Sequence, residues 1–360
     1  MELEPGCVER CPGCRYRALP PEESDRRKAE WAQRWLTPFG APLVPLKTPR
    51  QRWGYRRKAL LHASAAGGGW QFGLLRRLPE NRRLAELVSI PDCPVHDPVL
   101  NERLKVLRSL IPFNAPLVFV QASGGIFTLV FKCARSAAWV EWARTLEAPL
   151  FAAGVEALFL NWNPAAGRRA LSARHQERIF GEELIKSDGH FHGAMSFRQQ
   201  IPEVENYALA IAENFLAGTD PIADLYCGAG ASLARWRARG MQAVGVELVA
   251  EACRAAERNA PGAMVLKGRV EDRLPQLDTF LGSSPFALYT NPPRDGHAPV
   301  ILAWIQQRAP ARIAYLSCNA RSLAHDLDQL KDSYQTLTAL PFDFFPQTDH
   351  VECLALLQRR

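Results

Sequence analysis

The sequence of 360 residues contains no apolar run long enough to cross a bilayer, and its first residues lack the apolar stretch of a signal peptide. It also shows no internal repeat and no low-complexity tract, which excludes repeat and fibrous architectures. We therefore expect a cytoplasmic protein that acts as a monomer and has no membrane partner. The length is too great for one typical domain and favours two.

Disulfide bonds are not expected among the nine cysteines. A protein without an export signal stays in a compartment where thiols are kept reduced, and the count is odd. We interpret Cys133, Cys253 and Cys353 as buried small hydrophobic residues, and Cys227 as a packing residue. Cys318, which stands in a different context, is discussed below.

Three further cysteines, Cys7, Cys11 and Cys14, lie on one short N-terminal loop, and Cys93 can supply a distant fourth thiolate. Four thiolates suit either zinc or an iron–sulfur cluster. A zinc ribbon usually shows a second C-x2-C pair, which is absent from this sequence. The spacing alone does not choose between the two metals, and reduced free thiols remain a third interpretation.

Acidic residues are scarce between positions 47 and 83, where Glu80 is the only one. The net charge of +7 favours a polyanionic partner. Ten basic residues occupy this segment: Lys47, Arg50, Arg52, Arg56, Arg57, Lys58, Arg76, Arg77, Arg82 and Arg83. Four aromatic residues are interleaved with them: Trp53, Tyr55, Trp70 and Phe72. Such a mixture can contact phosphates and stack on bases, so the segment is predicted to bind nucleic acid; the alternative is a solvated basic face.

The pattern of residues changes near position 195. Residues 1–195 combine short strands, glycine-rich turns and a helical stretch at 136–151, which predicts an α+β domain. In residues 196–360 strands alternate with helices, which predicts a doubly wound parallel sheet of the α/β class. The last two strands, near 334–345 and 351–359, are separated by a short loop, and they predict an antiparallel hairpin at the edge of that sheet.

A glycine turn, DLYCGAG at 224–230, follows the first strand of the second domain. Gly228 and Gly230 allow the backbone to approach a ligand closely. Glu247 ends the next strand, 19 residues after Gly228, where a carboxylate can accept both ribose hydroxyls. Position 233 is Leu rather than a third glycine, and no phosphate-binding Lys-Ser/Thr follows. This favours a nucleoside without a pyrophosphate, such as S-adenosylmethionine, over NAD or FAD; a structural turn with a surface glutamate is the alternative.

Three more motifs follow late strands: NPPRDG at 291–296, SCN at 317–319 and HVE at 350–352. Together with FRQ at 197–199 and DLYCGAG, they resemble the RNA uracil-C5 methyltransferase family. Its members show F-x-Q, D-L-[FY]-C-G-x-G, [DN]-P-P-R-x-G, S-C-N and H-x-E in this order. RWGYRRKALL and IPDCPVHDP in the first half match as well. The resemblance implies a Rossmann-like class I methyltransferase domain at 196–360, preceded by an RNA-binding and iron–sulfur domain at 1–195.

The resemblance also implies the roles of two residues in the catalytic step. Uracil C5 is a poor nucleophile, but a Cys318 thiolate that adds to C6 turns C5 into an enolate carbon that can attack a sulfonium methyl group. Glu352 then removes the C5 proton before Cys318 leaves. A thiolate needs a lowered pKa, for which Arg294 is the candidate. His350 is interpreted as structural.

By the same resemblance, the S-adenosylmethionine pocket consists of Gln199, Tyr226, Gly228, Gly230, Glu247 and Asn291. Two departures concern this pocket. Family members usually read F-F-Q-x-N where this chain has FRQQI at 197–201. Arg269 stands where many relatives have an acid, with Glu271 or Asp272 as possible substitutes.

Many relatives carry a [4Fe–4S] cluster on three N-terminal cysteines and one cysteine in a D-C-P context. The resemblance therefore implies such a cluster on Cys7, Cys11, Cys14 and Cys93, with zinc as the alternative. The gap between Cys7 and Cys11 is shorter than in most relatives, which makes Cys7 the least certain ligand.

The expected function is methyl transfer to C5 of a uridine in RNA. The chain begins directly at the cysteine loop, like the short family members that lack a small N-terminal β-barrel domain, and this favours 23S ribosomal RNA over transfer RNA. An adenine or glutamine amino-methyltransferase is a further alternative, but it needs an aromatic residue where Arg294 stands. A non-catalytic RNA-binding or ribosome-assembly protein is another, and intact Cys318 and Glu352 argue against it.

Overall fold

The computed structural model describes residues 2–40, 44–81, 83–167, 170–171 and 175–360. The chain forms two compact units. The first contains Met1–Ala18 and Gln51–Ser187, and the second contains Leu19–Arg50 and Asp188–Arg360. The boundary near 187 lies close to the predicted one at 195. The predicted division is wrong for Leu19–Arg50, which was assigned to the first domain.

The helices are α1 (Pro21–Leu36), α2 (Pro98–Leu110), α3 (Ala137–Arg144), α4 (Glu147–Ala152), α5 (Pro202–Leu216), α6 (Ala231–Ala238), α7 (Ala250–Asn259), α8 (Val270–Leu281), α9 (Pro299–Arg308) and α10 (Ala320–Leu330). The strands are β1 (Lys58–Ala66), β2 (Gly69–Arg77), β3 (Ala85–Ser89), β4 (Leu117–Ser123), β5 (Ile126–Phe131), β6 (Ala157–Trp162), β7 (Gln176–Phe180), β8 (Ile185–Ser187), β9 (His190–His192), β10 (Ile222–Leu225), β11 (Ala243–Glu247), β12 (Met264–Lys267), β13 (Ala287–Thr290), β14 (Arg312–Ser317), β15 (Tyr334–Phe342) and β16 (Glu352–Arg359). Within the described part of the chain, no helix is both long and apolar enough to cross a membrane.

The first unit is built on a seven-stranded sheet in the order β3-β2-β1-β4-β5-β6-β7. Neighbouring strands are antiparallel except β5 and β6, which run parallel. The predicted short strands and glycine-rich turns are present: Gly67–Gly68 join β1 to β2 and Gly124–Gly125 join β4 to β5, and each pair forms an antiparallel hairpin. The helical stretch predicted at 136–151 consists of two short helices, α3 and α4. This unit is therefore α+β.

The second unit contains a seven-stranded sheet in the order β12-β11-β10-β13-β14-β16-β15. Strands β10 to β14 are parallel. All but the edge strand β12 consist mostly of buried apolar residues, as expected of a sheet covered on both faces. Strand β16 runs antiparallel to both β14 and β15. The predicted parallel sheet with a terminal antiparallel hairpin is confirmed.

Helix α1 joins the second unit through a buried ion pair. The Lys28 ammonium donates to Asp343 at 2.6 Å and to the carbonyl of Phe345 at 3.1 Å, and the side chains of Lys28 and Asp343 are fully buried. Two charges this deeply buried are tolerated only as a hydrogen-bonded pair. Ala32 and Leu36 of the same helix lie in the core of this unit. These contacts explain why Leu19–Arg50 belongs to the second unit.

Candidate active site

The glycine turn after β10 needs glycine for two different reasons. Gly228 and Gly230 have φ angles of +56° and +83°, in the left-handed region that favours glycine. A Cβ at Gly230 would also lie 2.8 Å from the Cα of Ala256 on α7. Tyr226, with a φ of +65°, adopts the same region although it has a side chain. The turn therefore brings the backbone of 226–230 tightly between β10 and α6.

Glu247 links the end of β11 to this turn through hydrogen bonds. One carboxylate oxygen accepts the backbone N–H of Gly228 at 3.1 Å, and the other accepts that of Val249 at 2.7 Å. Each carboxylate oxygen has a second lone pair available. Glu247 can thus hold the turn in place and still accept hydrogen bonds from a ligand.

A cavity of about 290 Å³ opens beside the turn. Four of the predicted cofactor residues line it: Gln199, Tyr226, Gly228 and Asn291. The other two, Gly230 and Glu247, belong to the turn and to the strand bonded to it. The backbone N–H of Asn291 donates to the carbonyl of Leu225 at 3.2 Å, so the NPPRDG motif begins directly beside the end of β10.

A buried glutamate is hydrogen-bonded to a residue that lines this cavity. The Gln199 amide donates to the two carboxyl oxygens of Glu352 at 3.3 and 3.1 Å, and both side chains are buried. Burial raises the pKa of Glu352 to about 7, and the nearby Glu205 carboxylate also raises it. Burial therefore makes the Glu352 carboxylate a stronger base than an ordinary one, which suits proton abstraction.

Cys318 lies next to this glutamate because of the sheet register. Strands β14 and β16 pair Ser317 with Cys353, which places the residues adjoining that pair, Cys318 and Glu352, at the same end of the ladder. Cys318 is half-buried. Burial raises the pKa of its thiol, the Glu352 carboxylate raises it further, and Arg294 lowers it. The effect predicted for Arg294 has the right sign, but burial outweighs it.

Hydrogen bonds connect the three late motifs. The Asn319 amide donates to the carbonyl of Arg294 at 3.1 Å, and its oxygen accepts the N–H of Arg321 and so caps α10. The Arg294 guanidinium lies 3.3 Å from the exposed His350 ring nitrogen. NPPRDG, SCN and HVE thus form one connected group around Cys318.

Arg269, at the position where an acid was sought, pairs with Glu271. Its guanidinium donates to one Glu271 oxygen at 3.3 and 3.1 Å. Burial raises the pKa of Tyr226, the Glu271 carboxylate raises it further and Arg269 lowers it, so this pair lies near Tyr226 at the cavity.

The other cysteines of the second unit are buried, as predicted. Cys227, Cys253 and Cys353 are all in this class. In the first unit, Cys133 is only half-buried and packs against the edge of the core. None of these four residues is needed to explain the site around Cys318.

The four cysteines of the predicted cluster line one small cavity of about 20 Å³ in the first unit. Burial raises the pKa of Cys14 to about 12, and the neighbouring Cys93 thiol adds to the shift. Burial also raises the pKa of Cys93. As they are arranged, no three His, Cys, Asp or Glu side chains of the described residues form a group able to hold a metal ion.

Most of the aromatic residues that were predicted to stack on bases lie inside the protein and not on its surface. Tyr55, Trp70 and Phe72 are buried, and the last two belong to the core of the first unit. Trp53 is half-buried and lines the cysteine cavity. These aromatic side chains pack the protein interior, so the prediction that they stack on bases is wrong for three of the four.

The basic residues of this segment are divided between the two units. Lys47 and Arg50 belong to the second unit and the others to the first, while Arg82 lies outside the described residues. The exposed members in the first unit are Arg57, Arg77 and Arg83. Arg57 forms an ion pair with Asp97 at 3.1 Å, so part of its charge is already compensated.

Comparison with known proteins places these features in context. The sequence model of the tRNA (Uracil-5-)-methyltransferase family matches residues 267–360, which contain NPPRDG, SCN and HVE. An uncharacterized RNA methyltransferase of Listeria innocua is 26% identical over 357 residues, which cover 89% of this chain and 74% of that protein. The 23S rRNA (uracil(747)-C(5))-methyltransferase RlmC of Pectobacterium carotovorum is 26% identical over an alignment of 388 positions, gaps included, that covers 97% of each chain.

A solved structure shares the fold. The tRNA (uracil-54, C5)-methyltransferase of Pyrococcus abyssi, in complex with S-adenosyl-L-homocysteine, matches with a TM-score of 0.72 and 20% identity. The match covers 97% of this chain and 86% of that chain. It confirms the predicted class I methyltransferase fold.

Proposed function

We propose that this chain, a member of the RNA uracil-C5 methyltransferase family, transfers the methyl group of S-adenosylmethionine to C5 of a uridine in RNA. The observation that carries the proposal is the pairing of a half-buried thiol, Cys318, with a buried carboxyl group, Glu352, that is bonded to the cavity wall through Gln199. Methylation of C5 needs a nucleophile and a base beside the methyl donor. Amino-methylation needs no protein nucleophile, because the amino nitrogen attacks the methyl group itself, and a non-catalytic RNA-binding protein needs no such pair.

The reaction uses these two residues in sequence. The Cys318 thiol loses its proton to solvent, and the thiolate adds to C6 while the C5=C6 electron pair moves toward the C4 carbonyl. The enolate carbon C5 then bonds to the methyl group, and S-adenosylhomocysteine leaves as a neutral thioether. Glu352 takes the C5 proton, the double bond forms again, and Cys318 leaves as a thiolate.

The electrostatics of the pair explain why Arg294 is needed. The Glu352 carboxylate raises the pKa of Cys318, so the two groups resist being negative together. Arg294 is the cation that opposes this effect. We propose that Arg294 keeps Cys318 able to ionise while Glu352 remains a carboxylate.

The methyl donor is proposed to lie along the glycine turn. Gln199, Tyr226 and Asn291 line the cavity, Gly228 and Gly230 shape the turn, and Glu247 can accept the ribose hydroxyls from the adjoining strand end.

The substrate is proposed to be 23S ribosomal RNA. In support, a relative whose match covers 97% of each chain is named as a 23S rRNA enzyme. Transfer RNA is the second candidate, because the family description and the solved relative are both named for tRNA.

The proposed activity predicts methylation of unmodified RNA transcripts. Purified protein is incubated with methyl-labelled S-adenosylmethionine and either 23S rRNA or a pool of tRNA transcripts. We expect label on 23S rRNA, and nucleoside chromatography should identify it as 5-methyluridine. Label on tRNA alone would select the second substrate, whereas label on adenine or on protein would overturn the proposed reaction.

We also propose that Cys7, Cys11, Cys14 and Cys93 hold a [4Fe–4S] cluster. In support, the four thiols line one cavity, and four cysteine thiolates are the ligand set that such a cluster requires. When bound, the cluster would cross-link the N-terminal loop to the segment of Cys93. It supplies no step of the methyl transfer.

The cluster proposal predicts a brown protein with about four iron and four sulfide ions per chain. Metal and sulfide analysis checks it. Cys93→Ser should lose the colour and most of the iron, whereas Cys133→Ser, a half-buried cysteine of the same unit, should keep both. Stoichiometric zinc in a colourless protein would reverse the metal assignment, and a protein without either metal would leave four reduced thiols.

A further inference from the structure

One end of the cavity beside the glycine turn is charged, and the predicted site does not use it. Two acids and two arginines line this end: Asp188, Glu205, Arg198 and Arg235. Asp188 precedes β9, Arg198 lies in the FRQ motif, Glu205 is on α5 and Arg235 is on α6. Two helices and two connecting segments therefore bring charges of both signs to one place.

The two arginines face Glu205 but are held by other acceptors. Arg198 donates to Asp188 at 3.0 Å, and Arg235 donates to Glu213 at 2.9 Å. Burial raises the pKa of Glu205 to about 7, the Arg198 and Arg235 guanidinium groups lower it through space, and the Asp188 carboxylate raises it. Glu205 is half-buried and lines the cavity, so a cation placed there would stabilise its charged form.

The segment that leads to Arg198 is held by hydrogen bonds to a glutamate of α7. One oxygen of Glu251, a buried residue on α7, accepts the N–H groups of Met195 and Ser196 at 2.8 and 3.0 Å and the Ser196 hydroxyl at 3.0 Å. A Cβ at Gly193 would collide with the Glu251 side chain. The position of Arg198 at the cavity is thus set by the fold and not by a free loop.

We infer that this end of the cavity binds the amino-acid end of the methyl donor, with Arg198 pairing with the α-carboxylate and Glu205 accepting the α-ammonium group. An α-amino acid carries one charge of each sign on the same carbon, and guanidinium and carboxylate groups are their natural partners. The inference rests on the proposed use of S-adenosylmethionine. It also gives a role to Arg198, at the position where the family pattern has a second phenylalanine.

Ligands that differ only at the amino-acid end test this assignment. S-Adenosylhomocysteine carries both charges, its decarboxylated analogue keeps the amine, and 5′-methylthioadenosine lacks both. Calorimetric titration gives the Kd of each for the wild type, Glu205→Gln and Arg198→Ala. We expect Glu205→Gln to weaken S-adenosylhomocysteine about tenfold or more and to change 5′-methylthioadenosine less than about twofold. Arg198→Ala should weaken S-adenosylhomocysteine similarly and leave the decarboxylated analogue nearly unchanged.

Glu203→Gln is the matched control. Glu203 precedes Glu205 by two residues on α5, pairs with Arg50 at 3.5 Å, and does not belong to the charged end. Its substitution should leave all three Kd values unchanged. Equal weakening of S-adenosylhomocysteine and 5′-methylthioadenosine by Glu205→Gln, or no weakening of either, would overturn the inference and leave the proposed function standing. A wild-type protein that binds none of the ligands would overturn both.

Discussion

Cys318→Ala is expected to abolish the formation of 5-methyluridine, with a loss of about three orders of magnitude or more in the single-turnover rate. Without the thiolate, no bond forms at C6, and C5 stays too weak a nucleophile to attack the methyl group. The measurement is transfer of labelled methyl groups to an RNA transcript at saturating enzyme, followed by nucleoside chromatography.

Two controls separate this effect from misfolding. The Cys318→Ala variant should bind S-adenosylhomocysteine with the wild-type Kd, because the Cys318 side chain is not among those that line the cavity. Cys133→Ala, in the first unit, should keep full activity. A Cys318→Ala variant that still makes 5-methyluridine at a measurable fraction of the wild-type rate would falsify the covalent mechanism.

The architecture of the second unit could be predicted because its buried strands are recognisable in the sequence as short apolar runs. Strands such as β10 and β13 read as short apolar runs that end at a glycine turn or a proline motif, and those ends share one edge of a parallel sheet. The approach of Cys318 to Glu352 needed one more fact, the pairing of Ser317 with Cys353. The expected hairpin made that pairing plausible, but register is not visible in a sequence.

The aromatic residues of the first unit show where the sequence is ambiguous. On β2, buried and more exposed side chains alternate, so Trp70 and Phe72 point to one face and their neighbours to the other. The sequence reveals the alternation, but it does not reveal that the aromatic face is covered by the core. A mixed basic and aromatic pattern therefore predicts a nucleic-acid surface and a half-buried strand equally well.

Contacts distant in sequence were beyond prediction for a different reason. Lys28 and Asp343 are 315 residues apart, and α1 reads as an ordinary charged helix next to the first unit. The charged end of the cavity likewise depends on Asp188, Arg198 and Glu205 meeting in space. The one available signal was the arginine at 198, which departs from the family pattern.

Glu352→Gln is expected to trap the reaction after methyl transfer. The amide has the shape of the carboxyl group and can keep the contact with Gln199, but it cannot take the C5 proton. Cys318 should then stay bonded to C6 of the methylated uracil. We expect turnover to fall about 10²- to 10⁴-fold, while a protein–RNA adduct that carries the methyl label survives denaturing electrophoresis.

The pH dependence of the wild type supplies the matching observation. Glu352 works as a carboxylate, and burial raises its pKa to about 7. Release of tritium from [5-³H]uridine RNA should therefore rise as the pH increases through about 7, and Glu352→Gln should remove this rise together with the release.

The double variant Cys318→Ala/Glu352→Gln tests whether Cys318 is the residue that forms the adduct. It should give no adduct, because the sulfur that makes the covalent bond is missing. An adduct in the double variant would assign the bond to another residue. Fast turnover by Glu352→Gln without any adduct would transfer the role of base to a different group. Loss of methyl transfer without an adduct would place Glu352 before the methyl step, where it would assist ionisation of Cys318 instead.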